Sequence, residues 1–259
     1  MKRLRNFGLL PLLACLTMAL MMGGCKKMSL QHEIDKVNAK CPIDVGLAGK
    51  IQKVWLDGNT VVFEAQLNAN LINVEKAKKN PNVMKEASLL NVVDETQSIE
   101  KILAEKVDLK YIITDSESQE KLDLLITNEE LAKAYNEKKN DEQKFTLRRI
   151  DNQIAVTQLQ LPLTIDEATV LTNFSREGDD KVVYIYDLNN NIVTPDIFNE
   201  SMPVLKNNVS NLLSGGDPAV SSMINLLIKA NMVLIYRYRL DKTEKEFSFT
   251  PEELKALKD

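Results

Sequence analysis

Histidine is almost missing from this chain: 259 residues hold one, His32. A catalytic histidine needs a packed pocket and an orienting partner. His32 instead stands in a short polar stretch near the N-terminus, outside the two repeated segments described below. Nucleophile–histidine catalysis is not expected, and neither is a zinc site, which draws on several histidines and cysteines. Glycine occurs nine times, with no phosphate-cradling cluster and no G-x-S-x-G elbow. Positive charge is in deficit: 33 Lys and Arg stand against 37 Asp and Glu, a net charge of −4. That sign repels phosphate backbones, so nucleic acid is not an expected partner. After the first two dozen residues no apolar run approaches membrane-spanning length.

What is present begins at the N-terminus. Lys2, Arg3 and Arg5 precede an apolar run from Phe7 to Met22, and Gly23, Gly24 and Cys25 follow. A basic segment, an apolar core and small residues before a cut make a secretory signal peptide over 1–24. Small residues immediately before a cysteine resemble the lipobox of bacterial lipoproteins. The resemblance implies that Cys25 is acylated and becomes the first residue of a mature chain, with a lipidated tether over 25–33. Without the signal, 30 basic residues face 37 acidic ones, a charge of −7. Membrane attachment therefore falls to lipid, at roughly 0.8 kcal/mol for each buried methylene. Lys26 and Lys27 follow the cysteine, where neither an inner-membrane retention aspartate nor an acidic surface-export signal appears. By the same resemblance the expected location is the outer membrane, facing the periplasm. Cys15 leaves with the signal and Cys25 takes the lipid, so Cys41 is left with no cysteine to pair with.

The body of the chain reads twice. TVVFEAQLN at 60–68 aligns with KVVYIYDLN at 181–189, and ITNEELAKA at 126–134 with FTPEELKAL at 249–257. Cys41-Pro42-Ile43 matches Leu161-Pro162-Leu163, so three anchors recur in one order at nearly constant offset. We read two tandem units, 34–140 and 141–259. In each, a strand (51–56 or 168–174) leads through a Gly turn into the VVF or VVY strand. A helical stretch follows (70–106 or 195–230), then two alternating strands and a short closing helix. Thr127 and Thr250 stand three residues before Glu130 and Glu253, which spells a capping box at the start of that helix. The expected fold class is α+β: two tandem units, each roughly β-β-α-β-β with a closing helix. Largely antiparallel sheets would carry the helices on one face.

The second unit resembles a set of Bacteroidetes-type lipoproteins of unknown function. It does so through Leu161-Pro162, Ile165-Asp166-Glu167, Val182 to Tyr186, Tyr236 to Asp241 and Phe247 to Phe249. These motifs are structural, so the resemblance implies a fold and a cellular address, not an activity.

Groups that mimic catalytic sets have plainer readings. The glutamate pairs 129/130 and 252/253 belong to first helical turns, where the helix dipole favours them. Asp187-Leu188-Asn189-Asn190-Asn191 opens like an EF-hand loop. It has Ile192 where glycine is needed and Phe198 where glutamate is needed, so it reads as a turn. Cys41 aligns with Leu161 and reads as a small buried hydrophobe. Ser98/Lys101 and Ser118/Lys121 match Ser-x-x-Lys, with Ser98 read as a helix cap and Ser118 as a loop residue. Gly215-Gly216-Asp217-Pro218 reads as a helix stop and turn. No catalytic residue, cofactor or metal ligand is assigned.

Recognition remains. Tyr184 and Tyr186 share one strand face, Tyr236 and Tyr238 share another, and Arg237 and Arg239 point the opposite way. Tyrosine suits binding surfaces, so these six residues form the candidate binding surface. The competing account places the tyrosines under helices. The expected function is a non-enzymatic, lipid-anchored envelope module that binds a protein or envelope component. A small-molecule-binding periplasmic lipoprotein is the alternative, and a serine hydrolase is the weakest reading.

Overall fold

A computed structural model describes residues 30–44, 49–67, 74–95, 99–215 and 218–258. The chain divides into two compact units at 145/146. The first unit opens with α1 (Leu30–Asn38), followed by β1 (Ile43–Asp44), β2 (Gly49–Asp57) and β3 (Thr60–Leu67). Helices α2 (Val74–Lys79), α3 (Pro81–Glu95) and α4 (Ile99–Ala104) lead to β4 (Asp108–Asp115), β5 (Lys121–Ile126) and α5 (Asn128–Asn140). Then come α6 (Glu142–Gln158), β6 (Leu163–Thr164), β7 (Thr169–Glu177) and β8 (Lys181–Leu188). Helices α7 (Pro195–Leu213) and α8 (Pro218–Lys229), strands β9 (Val233–Leu240) and β10 (Thr243–Phe249), and α9 (Pro251–Ala256) complete the chain.

Each unit holds a five-stranded sheet, in the order β1-β2-β3-β4-β5 and β6-β7-β8-β9-β10. The fold is the expected α+β class, with two departures. Each unit opens with a helix, α1 or α6, and α1 begins at Leu30, inside the span read as tether. The middle pairs β3–β4 and β8–β9 are parallel, while the other pairs are antiparallel. A parallel pair needs a crossover connection, and α2–α4 or α7–α8 supply it.

Local details recur from one unit to the other. A register shift separates Ile51 from Lys53 in β2 and Leu171 from Asn173 in β7. The peptide bonds Cys41-Pro42 and Leu161-Pro162 are cis, and Lys106 and Asn231 both adopt φ 54° just before the crossover strand. Val54 N–H donates to Asn38 Oδ1 at 3.2 Å, and Gln158 Nε2 donates to the Phe174 carbonyl at 3.1 Å. In both cases the end of the opening helix holds the strand beside the bulge. Gly49 has φ +131°, and a Cβ there would come within 2.0 Å of the Gln66 carbonyl oxygen, so β2 can meet β3 only at a glycine.

Alternation sets the burial. Along β4 and β5 every second residue is buried: Leu109, Tyr111 and Ile113, then Leu122, Leu124 and Ile126. Both closing helices carry the expected capping box, Thr127 with Glu130 and Thr250 with Glu253. Burial alone would raise the Glu130 carboxyl, but Lys85 and the Thr127 N–H hold it below the usual range.

Candidate functional site

The six residues of the candidate surface lie on β8 and β9, on the two faces the alternation predicts. Tyr184 stands opposite Tyr236 and Tyr186 opposite Tyr238 across the parallel pair. With Phe174 on β7 and Phe247 on β10 they form an aromatic band across four strands. Ring centroids are 4.0 Å apart for Phe174–Tyr184, 5.3 Å for Tyr184–Tyr236 and 5.5 Å for Tyr236–Phe247. Tyr186 and Tyr238 stack at 5.0 Å beside it.

This band is core. The four tyrosines are only 3–5% exposed, in one cluster with Ile150 and Ile154 of α6, Phe198 and Leu213 of α7 and Ile224 and Leu227 of α8. The expectation that they offer a binding surface is corrected: the helices cover that face, and burial pushes all four hydroxyls above their ordinary pKa. Tyr184, Tyr236, Gln153 and apolar side chains of α7 and α8 line a cavity of about 30 Å³. At roughly 10–15 Å³ per water, that space corresponds to two or three waters.

On the opposite face Val183, Ile185 and Ile235 make a small buried cluster, with Val233 beside it. Arg237 donates to both carboxylate oxygens of Glu177, at 2.6 and 3.2 Å, and to Glu246 at 2.8 Å. Glu177 lies on β7 and Arg237 on β9, so this bidentate pair arches over β8, above Val183. The guanidinium is raised above its usual range, first by the Glu177 hydrogen bond, and Glu177 is lowered, first by the same bond. Arg239 pairs with Glu244 at 2.8 Å and remains half-exposed. Of the six candidate residues, the structure brings only the two arginines to the outside, and Arg237 is committed to the sheet's own ion network.

Cys25 and Ser98 lie outside the described residues. His32 is exposed on α1. Cys41 is half-buried rather than buried, its Sγ 3.6 Å from the Val37 carbonyl, and burial raises its thiol pKa. Ser118 sits in the β4–β5 loop, where Asp115 Oδ1 accepts from the backbone N–H groups of Glu117 and Ser118. Asn189 Oδ1 accepts from the Asn191 N–H at 3.0 Å, which makes 187–191 a turn after β8. Among the described residues no three His, Cys, Asp or Glu side chains converge as a metal site.

One feature escaped the sequence reading. Ile192, in the turn before α7, and Ile197 and Val204, in the first half of α7, are 47%, 54% and 60% exposed. The signal for it is the seven-residue spacing of Ile197 and Val204, out of phase with Phe198, Val209 and Leu213, which α7 buries.

The chain matches no family model, and no curated protein matches it. Among solved structures, a protein described as secreted, from Pseudomonas aeruginosa, aligns with 51% of this chain and 99% of its own length. The identity is 14% and the TM-score 0.34. The type 2 secretion system pilotin EpsS from Vibrio vulnificus aligns with 39% of this chain and 86% of its own, at 17% identity and TM-score 0.30. The type II secretion system pilotin AspS from Vibrio cholerae aligns with 46% and 95%, at 15% identity and TM-score 0.29. At that similarity none of the three assigns a role to this chain.

Proposed function

We propose that this chain is a non-enzymatic, lipid-anchored cell-envelope protein, held at the outer membrane facing the periplasm, that binds a protein or another envelope component. The observation that carries the reading is the spacing between the lipobox cysteine and the fold. Cys25 lies five residues before Leu30, the first residue of α1, and α1 buries Ile34 and Val37. Five extended residues reach at most about 18 Å, so an acyl group on Cys25 holds the folded body close to the bilayer. Among the described residues no helix is long and apolar enough to cross a membrane. Glu130 and Glu253, of the pairs that could be mistaken for catalytic carboxylates, cap helices, and Arg237 is neutralised by Glu177 and Glu246.

The test is metabolic labelling with a clickable palmitate analogue, followed by membrane fractionation and pull-down. Label is expected in the outer-membrane fraction and is lost in Cys25→Ala, together with any co-purified partner. Label retained in Cys25→Ala, or reagent-sensitive turnover by the purified chain, overturns the reading.

A further inference from the structure

Four large apolar side chains stand exposed among the described residues, and three of them fall between Ile192 and Val204. Ile197 and Val204 are seven residues apart on α7, two helical turns or about 10.5 Å along one stripe. The helix already buries its other side through Phe198, Val209 and Leu213, so the stripe exceeds what the fold requires. Glu200 lies between the two on the same side, and Asp196 is one turn before it.

The charge of the stripe says what it would meet. Among the described residues neither Asp196 nor Glu200 is engaged in an ion pair. Lys206 on the same helix and Lys245, which reaches that helix, are occupied: Lys206 with Glu253 at 3.4 Å, and Lys245 with the Asn199 carbonyl at 3.4 Å and over the Phe198 ring. The helix dipole accounts for Asp196, in the first turn. It does not account for Glu200, which sits at i+4 from a like charge and is repelled by it.

We infer that the Ile197–Val204 stripe of α7 docks a polypeptide segment whose apolar side chains are flanked by lysine or arginine. The inference rests on the binding-module reading and places the binding face. An anionic bilayer would be repelled by Asp196 and Glu200, whereas a basic amphipathic segment satisfies both the exposed carbons and the unpaired carboxylates.

The test uses the mature chain carrying Cys25→Ala and a dye-labelled helical peptide of about 14 leucines and lysines, long enough to hold a helix. Its control replaces every lysine with glutamate. Anisotropy should show binding of the lysine peptide and none of the glutamate peptide. Asp196→Asn with Glu200→Gln should weaken binding about fivefold and flatten its salt dependence. Ile197→Ser with Val204→Ser should weaken it about tenfold. All four positions are exposed, so thermal melts of both variants should stay within a few degrees of the parent and separate lost contact from lost fold. No binding of the lysine peptide, or equal binding by parent and both variants, overturns the inference. A membrane partner that Ile197→Ser/Val204→Ser still captures in full would remove this stripe while leaving the binding-module reading intact. Loss of the Cys25 label test would remove the module reading by itself.

Discussion

Tyr111 keeps its hydroxyl in the interior of the first sheet, with the ring stacked on Phe63 at 5.1 Å and the residue fully buried. Among the described residues nothing hydrogen-bonds its Oη. A buried hydroxyl without a partner costs about 1–3 kcal/mol relative to water. Tyr111→Phe keeps the stack and removes the unpaired oxygen, so it should raise stability by about 1 kcal/mol in urea unfolding. A loss of stability would mean that the hydroxyl has a partner. The two apolar–polar alternating strands after the helical stretch can be read in the sequence, and the structure places Tyr111 beside Phe63 in β3–β4 as it places Tyr236 beside Tyr184 in β8–β9. The sequence does not show that none of the described residues bonds the Tyr111 hydroxyl, because that depends on neighbours from distant elements.

At the scale of elements, the outer face of β7–β10 is held by the Arg237–Glu177 arch. Arg237→Ala would uncover Val183 and Ile235 and leave Glu177, Glu244 and Glu246 facing one another. Partial exposure screens the loss, which should be about 1 kcal/mol at neutral pH. Glu177 titrates below its ordinary 4.5, chiefly because Arg237 bonds it. A lowered folded-state pKa stabilises above the ordinary value and loses that contribution as pH falls through the lowered one. The gap between parent and Arg237→Ala melting temperatures should therefore narrow below about pH 4. A gap that is constant from pH 7 to 3 would assign the effect to packing alone. Elements differ in how openly the sequence declares them. The capping boxes are local and could be read directly. The opening helix α1 is hidden because LQHEIDKVN buries only Ile34 and Val37, too few to show a period, and what seats it is the Asn38–Val54 hydrogen bond. The parallel β3–β4 and β8–β9 pairs did leave a sign, the long helical span between consecutive strands, but strand composition does not distinguish parallel from antiparallel pairing. Alternation assigns the tyrosines to one face and the arginines to the other. Which face the helices cover is a tertiary choice.

Across the whole molecule, five of six tyrosines are buried: Tyr111 in the first unit and Tyr184, Tyr186, Tyr236 and Tyr238 in the second. Burial raises each of them above the ordinary value of 10.0. A raised folded-state pKa gives stability that is fully present below the unfolded value and is lost as pH climbs toward the folded one. Above about pH 10 the unfolded chain ionises these phenols and the folded chain does not, so alkali should unfold the protein. Phenolate absorbance should stay low until far-UV dichroism falls, and then the buried rings should titrate together. Smooth ionisation of all six near pH 10 with dichroism intact would show that the band is open to solvent.

The uneven sharing of ring types also equips the chain with two separate reporters. Its single tryptophan, Trp55, lies in β2 of the first sheet, with the Lys53 ammonium 5.0 Å from the ring centre. The second sheet has no indole and carries the stacked phenols. Red-edge fluorescence therefore follows one unit, while the near-ultraviolet dichroism of the tyrosine band follows mainly the other. A single denaturant titration recorded both ways would reveal, without any mutation or label, whether the two halves melt as one cooperative block or in succession.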